Sequence, residues 1–352
     1  MARPIDRIVN VPDISAADEP FVRPPPPHDG LEWIGLSGLP ANAVERAVRR
    51  PRLSRYRAAW QAAEAARPGA AVISHLPLMT AAVERALTLR RRRPPHLAFS
   101  FNFTALPEGR RRHALARAFA DVDRFAIFSR YECGRYADHF GLDPDRLRPV
   151  IWTQEAPAVT DRLPELPTGP YVCAIGGEGR DFHTLMGALA RRPAGIGAVV
   201  IARPHSLARI TVPDGVRVLT NLPPPVTWAV AARSLGVLVP LLGLETCCGH
   251  VTLVGAKLLG LPLVTSFAYA TEEYVGGRPA VLVTPPRDVA ALADAITRLA
   301  DEREVLRAAA RAAVPAETAY HDRSIWGAYI GDFLASAGPP PLLPEVAGGR
   351  PT

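Results

Sequence analysis

Short apolar runs alternate with helix-length stretches rich in Ala, Arg and Leu from residue 31 to residue 335, and the alternation is interrupted once. A run of five or six apolar residues between turn signals reads as a strand buried on both faces. Such strands, separated by helices, pair in parallel through crossovers. The first half predicts strands at 31–38, 70–74, 96–101, 124–129 and 148–152, with helices over 42–67, 78–92, 108–120 and 131–140, the last ending at Gly141. The stretch TDRLPELPTGP (160–170) carries three prolines and marks a domain boundary. The pattern then restarts, with strands at 171–176, 197–202, 216–220, 235–241, 261–266 and 280–284. Helices are predicted over 182–191, 225–233, 251–259, 288–300, 302–313 and 322–335.

The expected fold class is therefore α/β, with two Rossmann-like domains facing a cleft, and ligands at the C-terminal ends of the parallel strands. Residues 1–30 are polar, end in Pro24 to Pro27, and are expected to be a loose N-terminal arm. The domains are expected over 31–160 and 161–320, with residues 321–337 a helix crossing back to the first domain. The Pro/Gly tail at 338–352 is expected to be disordered.

Composition narrows the class further. The 352 residues are 48% hydrophobic and 21% charged, which excludes disorder for most of the chain. The four cysteines, Cys133, Cys173, Cys247 and Cys248, are too few for a disulfide framework and lack zinc spacing. They read as reduced thiols of a cytoplasmic protein. No apolar run reaches the roughly 18 residues of a membrane span, and Asp6, Asp13, Asp18 and Glu19 occupy the place of a signal peptide. No short repeat period appears, which excludes solenoids.

Three segments carry candidate chemistry, each at the end of a predicted strand. In YVCAIGGEGRDFHTLMGAL (171–189), Gly176, Gly177 and Gly179 precede a helix that opens near Asp181, with Arg180 beside it. Glycines let a ligand approach the backbone, and free N–H groups at a helix start attract phosphate. A plain structural turn is the alternative. The spacing fits neither G-x-G-x-x-G nor the Walker loop, which weighs against a dinucleotide oxidoreductase and a P-loop enzyme. In LLGLETCCGHVTLVGAKLLGLPLVTS (241–266), Gly249 and Thr252 sit at a helix start and form a second anion site. His250 is either a phosphate or sugar contact or a capping residue. In SFAYATEEYV (266–275), Glu272 and Glu273 either accept sugar hydroxyls or are solvated loop charges.

Taken in order, these segments resemble the C-terminal half of the GT-B fold retaining glycosyltransferases of family four. The family runs strand–GR…KG…LL.A, then a V.V.P strand, a loop S.GQ..LLEAMALGKPVI, E.V..G..G.LV.P.D and a helix ALA.AI..LL. This chain has GGEGRDFHTLMGAL, VLVPLL, CCGHVTLVGAKLLGLPLVTS and EEYVGGRPAVLVTPPRDVAALADAITRLADE. The stretch VDRFAIFSRYECGRYADHFGLDPDRLRPV (122–150) is also similar to the family, and the resemblance spans roughly 95–335.

The resemblance implies a nucleotide-diphosphate-sugar donor on the second domain, a carbohydrate, lipid-linked or other hydroxyl acceptor on the first, no cofactor and no metal. Gly177 and Arg180 fall on the family's cationic pair, of which only Arg180 keeps its charge, in what is expected to be a solvated cleft. Gly176, Gly179, Gly249, His250 and Thr252 fall on the donor loops. Gly255 stands where the family has the glutamate of LLEA that accepts the ribose hydroxyls. Losing it removes charge-assisted hydrogen bonds of roughly 1.5–3 kcal/mol. Its position is expected to face the cleft, with Glu245 or Glu272 taking over; an inactive homologue acting as a scaffold or sugar-nucleotide-binding module is the other reading. His75 and Asn102, at strand ends of the first domain, are the candidate catalytic contacts, with core or capping roles as alternatives.

Residues 1–165 hold 25 arginines against 19 acidic residues, in a chain of net charge +7. The runs Arg90 to Arg93 and Arg110 to Arg112 suit peripheral contact with an anionic membrane or a plain solvated surface. Nucleic acid is not expected, because interleaved aromatics and recognisable motifs are missing.

Overall fold

A computed structural model of the protein describes residues 5–13, 30–48 and 52–337. Its strands form two six-stranded, wholly parallel sheets. The first contains β1 (Arg7–Val11), β2 (Glu32–Gly35), β3 (Ala70–His75), β4 (His96–Phe99), β5 (Arg124–Ile127) and β6 (Leu147–Pro149) in the order β2-β1-β3-β4-β5-β6. The second contains β7 (Tyr171–Ile175), β8 (Gly197–Ile201), β9 (Val216–Leu219), β10 (Val237–Val239), β11 (Leu263–Ser266) and β12 (Val281–Thr284) in the order β12-β11-β10-β7-β8-β9. In both sheets the strand order reverses once, between β1 and β3 and between β7 and β10. In open parallel sheets ligands bind beyond the strand ends at such a reversal.

Strand β1 corrects the sequence reading, which placed residues 7–11 in a loose arm. RIVNV is a central strand, paired on both sides and buried from Ile8 to Val11. Only five residues long and flanked by prolines and acidic residues, it offers too short a period to stand out. The rest of the expected arm lies largely outside the described residues, as does the tail at 338–352.

Helix α1 (Ala43–Ala47) is short; α2 (Leu53–Ala65), α3 (Pro77–Leu89) and α5 (Arg130–Phe140) pack on the first sheet, and α4 (Gly109–Phe119) packs between α3 and α5. The single helix expected over 42–67 is described as two, one ending at Ala47 and the next beginning at Leu53. Ser129 caps α5 by accepting from the Glu132 N–H, and Gly141 ends it in a left-handed conformation. Helices α6 (Phe182–Leu189), α7 (Pro224–Ala232), α8 (His250–Leu258), α9 (Glu272–Val275), α10 (Val289–Asp301) and α11 (Arg303–Tyr320) belong with the second sheet. Helix α11 runs seven residues beyond its expected end at 313, through Pro315.

The chain passes between the sheets twice, near residues 150–155 and 321–326, and the two passages are bonded to each other. His321 Nδ1 donates to the Trp152 carbonyl at 2.7 Å, Gln154 N donates to the His321 carbonyl, and Trp326 Nε1 donates to the Ile151 carbonyl. The final helix, α12 (Ser324–Ala337), returns to the first sheet: Tyr329 Oη donates to the Phe125 carbonyl and Asp332 pairs with Arg124. Beneath this hinge sits Lys257, the chain's one lysine. Its ammonium donates to the Tyr274 carbonyl and to His321 Nε2 and pairs with Glu317 at 2.8 Å, all in the interior. Burial raises the Glu317 pKa, but the Lys257 ammonium and the Arg278 guanidinium paired with it prevail and hold it at about 2.

Candidate active site

The reversal between β7 and β10 builds one wall of a cavity. Strand β7 ends at Ile175, and Gly176 follows at φ 132°, a backbone that L side chains rarely adopt. A Cβ on Gly176 would lie 2.6 Å from Arg180 Nε, so glycine is also what lets the guanidinium fold back under the turn. Arg180 donates to the carbonyls of Ile175 and Glu178, to Cys248 Sγ and to Thr252 Oγ1. It is only 8% exposed, which corrects the expected solvated position. No carboxylate pairs with it among the described residues, and burial pushes its pKa down. Gly249 precedes α8, whose first turn leaves N–H groups without intrahelical partners.

The opposite wall comes from the first domain. His75 ends β3, Ser100 and Asn102 follow β4, and Phe128 follows β5. With Leu76, Trp152, Gly177, Arg180, Gly249, His250 and Thr252 they surround a cavity of about 310 Å³. Leu76 (φ 71°) and Ser100 (φ 51°) hold left-handed backbone at adjacent strand ends. Strain of this kind costs on the order of 1–3 kcal/mol and gathers at functional sites. Asn102 Nδ2 reaches across to the Cys247 carbonyl at 3.5 Å, tying the two walls together.

Both histidines of the cavity are kept neutral by burial, His75 with its pKa lowered to about 3 and His250 to about 4. His75 Nε2 donates to Asn10 Oδ1 at 2.8 Å, which leaves Nδ1 as the acceptor facing Ser100. His250 Nε2 donates to the Ala270 carbonyl, with its ring against Tyr274. Below pH 6.5 the unfolded chain protonates both and the folded chain does not, so stability falls as pH falls. Glu132, raised to about 7 mainly by burial, acts with opposite sign between pH 4.5 and 7. His321, lowered by burial as well, acts with the two cavity histidines, so a net loss on the order of 1 kcal/mol per pH unit or more is expected between pH 6 and 4.5. Chemical denaturation across that range measures it, and a flat profile would contradict the neutral burial of the two rings.

Three expected donor contacts stand outside this cavity. Glu245 receives two bonds from Arg135 and lines a separate depression. Glu272 is exposed in the first turn of α9, and Glu273 accepts the Arg130 N–H at 2.9 Å. The expectation that Gly255 faces the cleft is also corrected. A Cβ there would lie 2.5 Å from the Trp228 ring and 3.1 Å from Gln154 Nε2, so an indole covers the position.

Arg203 was missed by the sequence reading. It lines the cavity, and its side chain packs over Gly177, where a Cβ would meet it at 3.2 Å. A second guanidinium thus stands over Gly177, paired with the Glu178 carboxylate of the same cavity at 2.6 Å. The signal was present, because Arg203 directly follows the strand GAVVIA. Elsewhere Ser74, His96 and Glu84 line up as nucleophile, base and carboxylate, with Ser74 Oγ 2.7 Å from His96 Nε2. All three are sealed in the interior without access for a substrate. The arginine runs are partly spent within the fold: Arg90 pairs with Glu64 over Trp60, and Arg93 pairs with Glu84 and Asp121.

Two parallel sheets of this order, facing each other across a cleft and closed by a returning terminal helix, define the GT-B fold. Solved structures agree along nearly the whole chain. HepE of Anabaena in complex with UDP-glucose is similar at a TM-score of 0.69 and 13% identity, covering 94% of this chain and 99% of that one. Sucrose-phosphate synthase of Thermosynechococcus elongatus is similar at 0.66 and 14% identity, covering 94% and 98%. The lipopolysaccharide outer core galactosyltransferase WaaB is similar at 0.60 and 12% identity, covering 94% and 99%. No family model and no curated protein matches the sequence. No helix among the described residues is long and apolar enough to cross a membrane.

Proposed function

We propose that the chain is a glycosyltransferase that moves a sugar from a nucleotide-diphosphate donor to a hydroxyl acceptor, with retention as in the family it resembles. The observation that carries this reading is Arg180, a buried guanidinium with no carboxylate partner among the described residues, beside the N-terminus of α8 in the interdomain cavity. Burying an unpaired cation is costly, and an anionic ligand offsets that cost. UDP-glucose bound to HepE, on the same fold, supports a nucleoside diphosphate as that anion.

In this reading Arg180, Arg203 and the first turn of α8 hold the diphosphate. They stabilise the charge that develops on it as the glycosidic bond breaks, and no metal is assigned. Gly176, Gly177, Gly179 and Gly249 shape the backbone around it, and Thr252 orients Arg180. His75 and Asn102 contact the sugar or acceptor from the other wall. Neutral His75 serves to position hydroxyl groups. The four free thiols support a cytoplasmic location.

Trp228 over Gly255 favours a second reading, a homologue that binds nucleotide sugars without transferring them. Titration with UDP and a panel of nucleotide sugars tests the main one. A bound ligand at 100 times its dissociation constant adds about 2.7 kcal/mol of stability. Release of free nucleotide on adding an acceptor distinguishes transfer from binding, and absence of any nucleotide effect overturns both readings.

A further inference from the structure

Beyond the donor cavity lies a second and larger one, of about 800 Å³, confined to the first domain. The two share Leu76 and Asn102 as a common wall, so a group held in one meets a group held in the other at that point. The second cavity lies at the reversal between β1 and β3, the place in this sheet where a ligand is expected. Its lining is strongly basic. Arg52 and Arg55 reach it from the start of α2 and Arg111 from the first turn of α4, with Asp13, just after β1, as the opposing charge.

The arrangement is a built one. The Asp13 side chain is 3% exposed, and its Oδ2 receives Arg55 Nε at 3.1 Å and Nη2 at 2.6 Å. Its Oδ1 lies 3.6 Å from Arg52 Nη1. One buried carboxylate thus orients two guanidiniums and neutralises only one of them. Arg111 has no acidic partner among the described residues. Among the described residues the cavity therefore keeps an excess of two positive charges. Pro77 and Leu78, which open α3 with no side-chain cap, lie in the same wall and add the positive end of that helix.

Resting on the glycosyltransferase reading, we propose that the acceptor is anionic. It would carry a phosphate group, which Arg52, Arg55 and Arg111 hold so that the acceptor hydroxyl lies at the wall of Leu76 and Asn102. Guanidinium forks match phosphate oxygens in pairs, whereas a neutral sugar offers them nothing to neutralise. The phosphate belongs either to a small soluble molecule or to a lipid carrier, and the chemistry seen by the arginines is the same.

The test uses the full chain in saturating UDP, so that the donor cavity is filled. Binding of inorganic phosphate and glycerol 1-phosphate is compared with that of glycerol. Phosphatidylcholine vesicles with and without a polyprenyl phosphate supply the lipid-borne arm. Phosphate in at least one carrier is expected to bind tenfold or more tightly than its neutral match. Arg111→Glu, an exposed change, is expected to remove that preference, and Arg111→Lys to keep most of it. No preference in either carrier, or an unaltered preference in Arg111→Glu, overturns the proposal. UDP affinity, measured alongside, separates the two claims. UDP binding without phosphate preference removes only the anionic acceptor, whereas phosphate preference without UDP binding removes the donor reading and leaves this subsite standing.

Discussion

Arg180→Met is expected to lose stabilisation by UDP while the unliganded protein stays folded. The guanidinium makes four neutral contacts and no ion pair, so its removal forfeits modest hydrogen bonds and also relieves an unpaired buried charge. These effects oppose each other in the unliganded chain, whose unfolding midpoint should move little. With ligand the balance is one-sided, because a hydrogen bond to a charged group is worth about 1.5–3 kcal/mol. The nucleotide affinity should fall roughly ten- to a hundredfold. Calorimetric titration and thermal unfolding with and without UDP read both quantities. Undiminished UDP affinity in a folded variant would show that the diphosphate lies elsewhere.

Gly255→Glu is expected to destabilise the protein strongly, and not to restore a ribose contact. A Cβ at this position meets the Trp228 ring at 2.5 Å, and Trp228 is 8% exposed within the core cluster. The glutamate must displace the indole or bury its charge against it. Overpacking alone costs about 1–3 kcal/mol, and an unpaired carboxylate adds to that. A double-mutant cycle with Trp228→Ala isolates the cause. Trp228→Ala costs about 3–5 kcal/mol alone. The pair should be less destabilising than the sum of the singles by more than about 1 kcal/mol, because the space vacated by one receives the other. Additive losses would mean that the indole is not what closes the site.

Much of the fold was legible because its signal is local. Strands such as AAVIS and GAVVIA are continuous apolar runs, Ser129 and Gly141 bracket α5, and the prolines of 160–170 interrupt both patterns. Strand β1 was illegible for the converse reason: five residues show too little period, and what makes RIVNV a strand is a partner on each side. The candidate site was legible as loops and less so as contacts. Strand ends locate His75, Asn102, Arg180 and His250 by topology, and all four meet around one cavity. That Arg203 covers Gly177, that Asn10 holds His75 and that Trp228 fills the space at Gly255 are facts of side chains far apart in sequence. Glu245 shows the limit from the other side: its loop is near the cavity, but Arg135 draws its carboxylate away.

The buried lysine under the hinge has a practical corollary for labelling chemistry. With Lys257 enclosed between Tyr274, Glu317 and His321, the folded chain presents no side-chain amine to solvent. Acylating dyes and amine-directed cross-linkers therefore find no lysine on the surface of this fold. Label found on Lys257 reports that the two passages between the domains have come apart.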